Sequence, residues 1–358
     1  MKHKKTAHST LIALAVLASA GTAYAQSSVT IYGVIDTGVR YTNGLSSANA
    51  AINGTVTAVN SGTNTTSRLG YRGTEDLGGG MKAVFNLESG LSTDSGSTPS
   101  TKFFDRASFV GLEAGWGAVS FGRQTTVLAD AVGPVDPLGS RFAGFNPNIG
   151  TAALSAHGLG IEYGPSNATT GAYRLDNSVK YVGRFNDFTV RAMHALGEKD
   201  GNTSQLSASG LGLAYQSENY TATLGYGQFK SDTDLKLKAY VGGVSAKLGN
   251  SKLSLTYGSH EAETTSTAKT RNTTLGLGGT VPLSSSLDMV LSHYIVKRTR
   301  TAKLDDGFNR SVAFLEYKLS KRTRLYGEFD YTKWKTGYLA AGLPSNSKGV
   351  SFGIVHSF

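Results

Sequence analysis

Seven histidines and no cysteine are the raw material from which covalent or metal chemistry would have to be built in this 358-residue chain. Nucleophilic hydrolysis needs Ser, His and an acid held together, and a zinc site needs several ligands at short spacing. His157, His194, His260, His293 and His356 are scattered, and no spacing among them suggests a triad or a metal site. Without cysteine there is no disulfide framework and no thiol redox chemistry. Gly276-Leu277-Gly278 sits inside a stretch of strand character, without the strand–turn–helix setting of a phosphate loop. No catalytic residue, no metal site and no cofactor are therefore expected. What the sequence offers is charge at strand spacing. In Ser67-Arg68-Leu69-Gly70-Tyr71-Arg72-Gly73 the two arginines share one face of an extended strand, and Leu69 and Tyr71 share the other. The chemistry of such a row is electrostatic.

Strands that carry two different faces must be placed between two different solvents, and the clearest is the last. From Val350 to Phe358, Val350, Phe352, Ile354, His356 and Phe358 alternate with Ser351, Gly353, Val355 and Ser357. An apolar strand ending on an aromatic residue is a sticky edge. It could be the edge of a soluble sandwich; a closed barrel removes the edge by pairing the last strand with the first.

The beginning of the chain reads as a secretory signal peptide over residues 1–25. Lys2, Lys4 and Lys5 precede an apolar run from Leu11 to Ala20 and the small-x-small site Ala23-Tyr24-Ala25. The leader holds three of the 35 basic residues and none of the 25 acidic ones, which leaves +7 on residues 26–358. That charge is dispersed among acids, so nucleic acid is not the expected partner. Nothing resembles the roughly 20 consecutive apolar residues of a transmembrane helix. The 45 glycines and 17 tyrosines suit strands, turns and aromatic belts.

Alternating stretches recur along the whole chain, starting with Val29-Thr30-Ile31-Tyr32-Gly33-Val34-Ile35-Asp36, where Thr30, Asp36 and Arg40 share the even face. Further strands are expected near 67–73, 81–90, 103–113, 117–124, 174–183, 187–196, 207–216, 219–230, 236–248, 251–260, 269–283, 286–297, 307–319, 322–332 and 348–358, sixteen in all. Lys82 alternates with Met81 and Ala83, and Arg106 falls in the fourth stretch. Alternate connections are short, and the others, such as 42–66 and 333–347, are long and polar. Short turns on one rim and long loops on the other are the layout of an outer-membrane barrel, and sixteen strands leave an aqueous channel. The expected fold class is therefore all-β, a 16-stranded antiparallel transmembrane barrel formed by residues 26–358 as a single domain in outer-membrane lipid.

One connection is too long for an ordinary loop. Between Arg123 and Tyr173, about 125–173, the chain carries Pro134, Pro137, Pro147 and Pro165 together with Val127, Leu128, Ala131, Val132, Phe142 and Phe145. A segment with that apolar content is expected to be partly buried in the lumen; the other reading is a large external loop.

Taken together, these stretches resemble the trimeric general porins of Gram-negative outer membranes, in the branch common in beta-proteobacteria. The residues that carry the resemblance are 29–36, Ser67-Arg68-Leu69-Gly70, Gly73-Thr74-Glu75-Asp76-Leu77-Gly78, Gly117 to Arg123-Gln124, and the terminal His356-Ser357-Phe358. The resemblance implies a third loop folded inward as a constriction, a homotrimer, and basic wall residues facing acids on the loop. The matching wall positions are Arg40, Arg68, Arg72, Lys82 and Arg106, together with Arg123, which shares the parity of Val119 and Phe121. Asp130 and Asp136 are the acids of the loop. Phe358 is implied as the signal read by the barrel-assembly machinery. The trimer contact is expected at the N-terminal strands and the last strand, on small outward residues including Gly33, Ala83, Ala107 and Gly111. The function implied is a water-filled channel for passive diffusion of small hydrophilic solutes and ions, weakly anion-selective. The alternative is a barrel that acts mainly as an adhesin or receptor.

Overall fold

A computed structural model describes residues 28–46, 51–139 and 173–358. The leader 1–25 and residues 140–172, the greater part of the long connection, lie outside the described residues. Seventeen strand segments are present among the described residues. In chain order they are β1 (Ser28–Leu45), β2 (Ala51–Ser61), β3 (Arg68–Gly78), β4 (Met81–Gly90), β5 (Ala107–Ala114), β6 (Gly117–Thr125), β7 (Arg174–Phe185), β8 (Phe188–Ala195) and β9 (Ala208–Gln216). They continue with β10 (Tyr220–Lys230), β11 (Lys236–Leu248), β12 (Ser251–Glu263), β13 (Lys269–Pro282), β14 (Leu287–Arg300), β15 (Asp306–Lys318), β16 (Thr323–Trp334) and β17 (Asn346–Ser357). One six-residue helix, α1 (Val127–Val132), follows β6.

Sixteen of the segments form one closed antiparallel barrel. Each pairs with the next in sequence, and β17 pairs with β1 from Asn43↔Lys348 to Val34↔Ser357. Gly33 and Phe358 continue that ladder by exchanging both backbone hydrogen bonds, each 3.1 Å. Gly33 is required for close approach, because a Cβ there would overlap the Phe358 ring. Closure satisfies every strand edge of the wall, which a bilayer demands.

Side chains alternate as the sequence requires. Leu253, Leu255 and Tyr257 of β12 and Leu275 and Leu277 of β13 are exposed on the outer surface. Their neighbours Ser254, Thr256 and Thr274 are buried inside. On β5 the parity differs from expectation. Ala107 faces the interior, while Val110 (58% exposed) and Leu112 face outward. Ala107 and Gly111 are therefore not outward small residues, and the outer space beside Gly33 is filled by Phe358. What the N-terminal strands present outward is a branched apolar face that includes Val29, Ile31 and Val110.

The seventeenth segment corrects the expectation of an open loop over 42–66. β2 folds back on the upper half of β1 (Leu45↔Ala51 to Thr37↔Ser61), and β3 takes over below it (Val34↔Arg68 to Ser28↔Thr74). Between β2 and β3 the chain turns inward, burying Thr63, Asn64, Thr65 and Ser67. Asp36 of β1 holds that turn. Its carboxylate accepts from the backbone N–H groups of Asn64 and Thr65, both at 2.6 Å, and from the Tyr326 hydroxyl at 2.9 Å. The amide of Asn64 reaches Glu316 of β15, and Arg324 of β16 donates to Asn64 and Thr65.

The interior is partly filled by the start of the long connection. Thr126 caps α1 by accepting from the N–H of Ala129 at 3.2 Å. Val127, Leu128, Ala131 and Val132 pack on an apolar patch of the inner wall that includes Met193, Phe229, Leu237, Ala239 and Val241. Burial of each large aliphatic side chain contributes about 1.5–3 kcal/mol, enough to hold the helix on this patch. Gly210 admits Val127, since a Cβ there would overlap the valine side chain. Thr223 adds a hydrogen bond to the carbonyl of Ala131 at 2.6 Å. Further on, Leu138 joins Val34, Val290, Tyr294, Val312, Phe314, Tyr326 and Val355 in a second inner cluster.

Candidate functional site

With α1 and the 134–138 segment against β8–β14, and the 62–67 turn against β1, β15 and β16, the open lumen lies along β3–β7. There a chamber of about 710 Å³ is lined by Arg68, Arg72, Arg106, Arg174, Lys180 and Arg184, with Glu88 and Glu113 as its acidic residues. The strand parity of β3 brings Arg68 and Arg72 to the inside, four residues and about 13 Å apart along the wall.

Glu88 of β4 organises the upper part of the chamber. Arg106 donates to it at 2.5 Å, the Nε of Arg68 lies 3.6 Å away, and the Tyr32 hydroxyl donates at 2.8 Å. Arg72 stands over the Tyr32 ring, 5.1 Å from its centroid. Arg174 donates to the backbone carbonyl of Arg106 at 2.9 Å and covers the ring of Tyr173. The arginines are thus held by aromatic faces and carbonyls as well as by one shared carboxylate, so fixed positive charge outnumbers negative.

The residues expected from the sequence divide into three groups. Arg68, Arg72 and Arg106 meet in the chamber. Lys82 keeps the inward parity of β4, but it is exposed at the short-turn rim opposite Glu113, six residues and about 20 Å from Glu88. Arg40 and Arg123 are elsewhere. Arg40 is 2% exposed and bonded to Glu328 at 2.7 Å, Asp330 at 2.6 Å and Ser351 at 2.9 Å, inside the wall made by β1, β16 and β17. Arg123 follows the outward parity of Phe121; it donates to the Asp105 carbonyl and to Asp176, both at 2.6 Å, and does not line the chamber.

The two acids separate as well. Asp130 pairs with Lys180 and, at 3.5 Å, with Arg191 of β8 rather than with Arg68, Arg72 or Arg106. It stands at the edge of the chamber, tied also to Thr125 at 2.9 Å. Asp136 lies 2% exposed across the barrel, accepting from Tyr294 at 2.7 Å and from the N–H of Leu138 at 2.9 Å. Lys180, Arg184 and Arg174 were missed in the sequence, although Lys180 and Arg184 show the same i, i+4 inward spacing as Arg68 and Arg72. Among the described residues no group of His, Cys, Asp and Glu could hold a metal ion.

Comparisons with known proteins agree with this architecture. The family model for Gram-negative porins matches residues 10–337. Outer membrane porin protein 32 of Delftia acidovorans is 30% identical over 97% of this chain and 99% of its own length. An outer membrane porin protein of Bordetella pertussis is 41% identical, over a stretch that is 41% of each chain. Among solved structures, the anion-selective porin from Comamonas acidovorans superposes with a TM-score of 0.75 at 27% identity, over 93% of this chain and all of that one. OmpT of Vibrio cholerae in its trimer form gives 0.68 at 17% identity over 93% of this chain and 99% of that one, a likeness of fold alone. The chain is a member of the Gram-negative porin family, an outer-membrane β-barrel that forms a channel and not an enzyme.

Proposed function

We propose that the channel passes small hydrophilic solutes and ions by passive diffusion and favours anions weakly, with its filter in the β3–β7 chamber. One observation carries the reading: six basic and two acidic side chains share the wall of a single aqueous chamber. A unit charge about 4 Å from a permeating ion contributes about 4 kcal/mol at an effective dielectric near 20. Screening and counter-charges reduce this, yet a fraction of it exceeds thermal energy, and low-dielectric walls focus the field. The segment 126–139 serves as the constriction loop by narrowing the lumen from the β8–β14 side. The preference that the Comamonas protein's name states has the same sign.

The assembled form is a homotrimer, closed through the apolar outer face of the N-terminal strands and β17, where Val29, Ile31, Val110 and Phe352 are exposed. A cyclic assembly covers that face with its neighbours, and a Vibrio cholerae protein of like fold occurs as a trimer. Phe358 remains the assembly signal, read by the barrel-assembly machinery before the ladder to Gly33 closes.

The test is the zero-current potential across a salt gradient in planar bilayers at low ionic strength. Arg68→Gln with Arg72→Gln lowers or reverses the anion preference. An unchanged reversal potential places the filter elsewhere.

A further inference from the structure

Tyr32, Tyr173 and Phe109 stand at or beside the β3–β7 chamber, and the first two rings are already covered. Arg72 lies over Tyr32, and Arg174 lies over Tyr173. Phe109 of β5 shares the inward parity of Ala107, is half-buried and lines the chamber. Among the described residues no ring or cation is stacked on it. Its cross-strand neighbours are Asn86 on β4 and Gly122 on β6, and Gly111 follows two residues along its own strand. The two glycines carry no side chain that could cover the ring from their side. Val84, Ala118 and Val182 continue an apolar strip of the chamber wall. Lipid does not reach a lumen-facing position, so this strip is available to whatever enters from water.

The same transverse row holds an uncommitted guanidinium. Arg72 pairs with Asn86, which pairs with Phe109, so the two residues are two strands, about 10 Å, apart. Arg72 is exposed and has no acidic partner among the described residues. By contrast, Arg68 and Arg106 share Glu88, and Lys180 is paired with Asp130. One face of the Arg72 guanidinium rests on the Tyr32 ring, 5.1 Å from its centroid. Its N–H edges remain for the forked pair of hydrogen bonds that a carboxylate accepts. With Asn86 as spacer, the row presents an open ring at one end and a carboxylate-binding fork at the other.

We propose that Phe109 and Arg72 form a subsite for aromatic monocarboxylates, the ligand's ring stacked on Phe109 and its carboxylate forked by Arg72. The inference rests on the anion-favouring chamber proposed above and names the class of solute that this chamber retains. Both contacts are needed for selection. Acetate or chloride meets only Arg72, a neutral aromatic meets only Phe109, and benzoate meets both. Offset stacking of two rings adds to what area burial alone supplies, so an aliphatic ring of like size and charge is held less well. A chamber of about 710 Å³ is within the range of small-molecule sites.

The test is single-channel recording of the purified protein in planar bilayers at low ionic strength. Sodium benzoate or sodium cyclohexanecarboxylate is titrated into the bath, and block of the chloride-carried current is read. Each anion carries one carboxylate on a six-membered ring, so charge and approximate size are held constant. The half-blocking concentration of benzoate is expected to be about one third of that of cyclohexanecarboxylate, or lower. Phe109→Leu keeps an apolar side chain and removes the ring, and the difference between the two anions disappears. Arg72→Gln weakens the block by both anions, and benzyl alcohol does not block the wild type. Folding of each variant is read from its heat-modifiable mobility. If Phe109→Leu fails to fold, the comparison of the two anions in the wild type still decides. Equal half-blocking concentrations in the wild type overturn the proposal, as does a difference that persists in folded Phe109→Leu. Benzoate block that is unchanged in folded Arg72→Gln, or equalled by benzyl alcohol, overturns it too. The zero-current potential in potassium chloride alone reads the anion filter separately. An anion preference without benzoate discrimination overturns the subsite alone; absence of the preference overturns the filter and, with it, the ground for the subsite.

Discussion

Phe358 and Gly33 exchange both of their backbone hydrogen bonds, and the Phe358 ring occupies the space that a side chain on residue 33 would need. The last residue of the chain is therefore a structural part of the seam between β17 and β1. Deleting Phe358 removes the final pair of the ladder together with the terminal aromatic. Folded protein in the outer membrane should fall severalfold, while the conductance of whatever inserts stays normal, because Gly33 and the Phe358 ring meet on the outer side of the wall and neither lines the β3–β7 chamber. Gly33→Val should act in the same direction by overpacking, at a cost of about 1–3 kcal/mol. Normal amounts of folded protein in both variants, measured by heat-modifiable mobility of outer-membrane extracts, would contradict this.

Arg40 was expected to act on the permeating ion, and its surroundings give it a different task. It is buried between Glu328 and Asp330 in the wall. Removing the cation leaves two buried carboxyl groups beside each other, and breaking a buried pair of this kind destabilises by about 3–5 kcal/mol. Arg40→Met should accordingly lower the thermal unfolding midpoint in detergent markedly and shift the reversal potential less than Arg68→Gln does. The reverse ordering would return Arg40 to the filter.

The turn at 62–67 is the second inward excursion, and Asp36 is its anchor. Asp36→Ala removes the acceptor of two backbone N–H groups and of the Tyr326 hydroxyl. Each lost bond to a charged acceptor costs about 1.5–3 kcal/mol, so the turn should leave the wall intermittently. The expected signature is a larger or flickering single-channel conductance with little change in ion preference, since the chamber charges stay in place. A steady wild-type conductance would mean that the turn does not limit the lumen.

How much of this was legible depended on which contacts carried the signal. The sixteen wall strands were readable because each separates lipid from the interior, so a run such as Leu253, Leu255 and Tyr257 must alternate with Ser254 and Thr256. β2 was not readable. Ala51–Ser61 sets Val59 outward among threonines and serines, too weak an alternation to mark a strand, and its strand state comes from pairing with β1. On β5 the small residues Ala107 and Gly111 carry little lipid signal of their own, and Val110 and Leu112 on the same stretch set the parity. The partners of Asp130 and Asp136 depended on the path of the segment from Thr126 to Gly139, which is set by apolar docking rather than by charge. Leu237, Ala239 and Val241 on the inward side of Lys236 and Lys238 were the available clue that the lumen there is covered.

The two acids of that segment should now behave differently under mutation. Asp130 is a counter-charge at the edge of the chamber, paired with Lys180 and Arg191. Asp130→Asn leaves both cations without that partner and should raise the anion preference, moving the reversal potential towards the anion limit. Asp136 is an anchor across the barrel, where it accepts from Tyr294 and Leu138. Asp136→Asn should loosen the segment, increasing current noise while changing the reversal potential less. Glu88→Gln tests the same reasoning from the wall side. It removes the carboxylate shared by Arg68 and Arg106, and the surplus of positive charge should grow as it does in Asp130→Asn. Raising the salt to 1 M shortens the screening length to about 3 Å and should mute the effects of Asp130→Asn and Glu88→Gln but leave the noise of Asp136→Asn. Equal shifts from Asp130→Asn and Asp136→Asn would show that both acids face the permeating ion, against the positions they hold here.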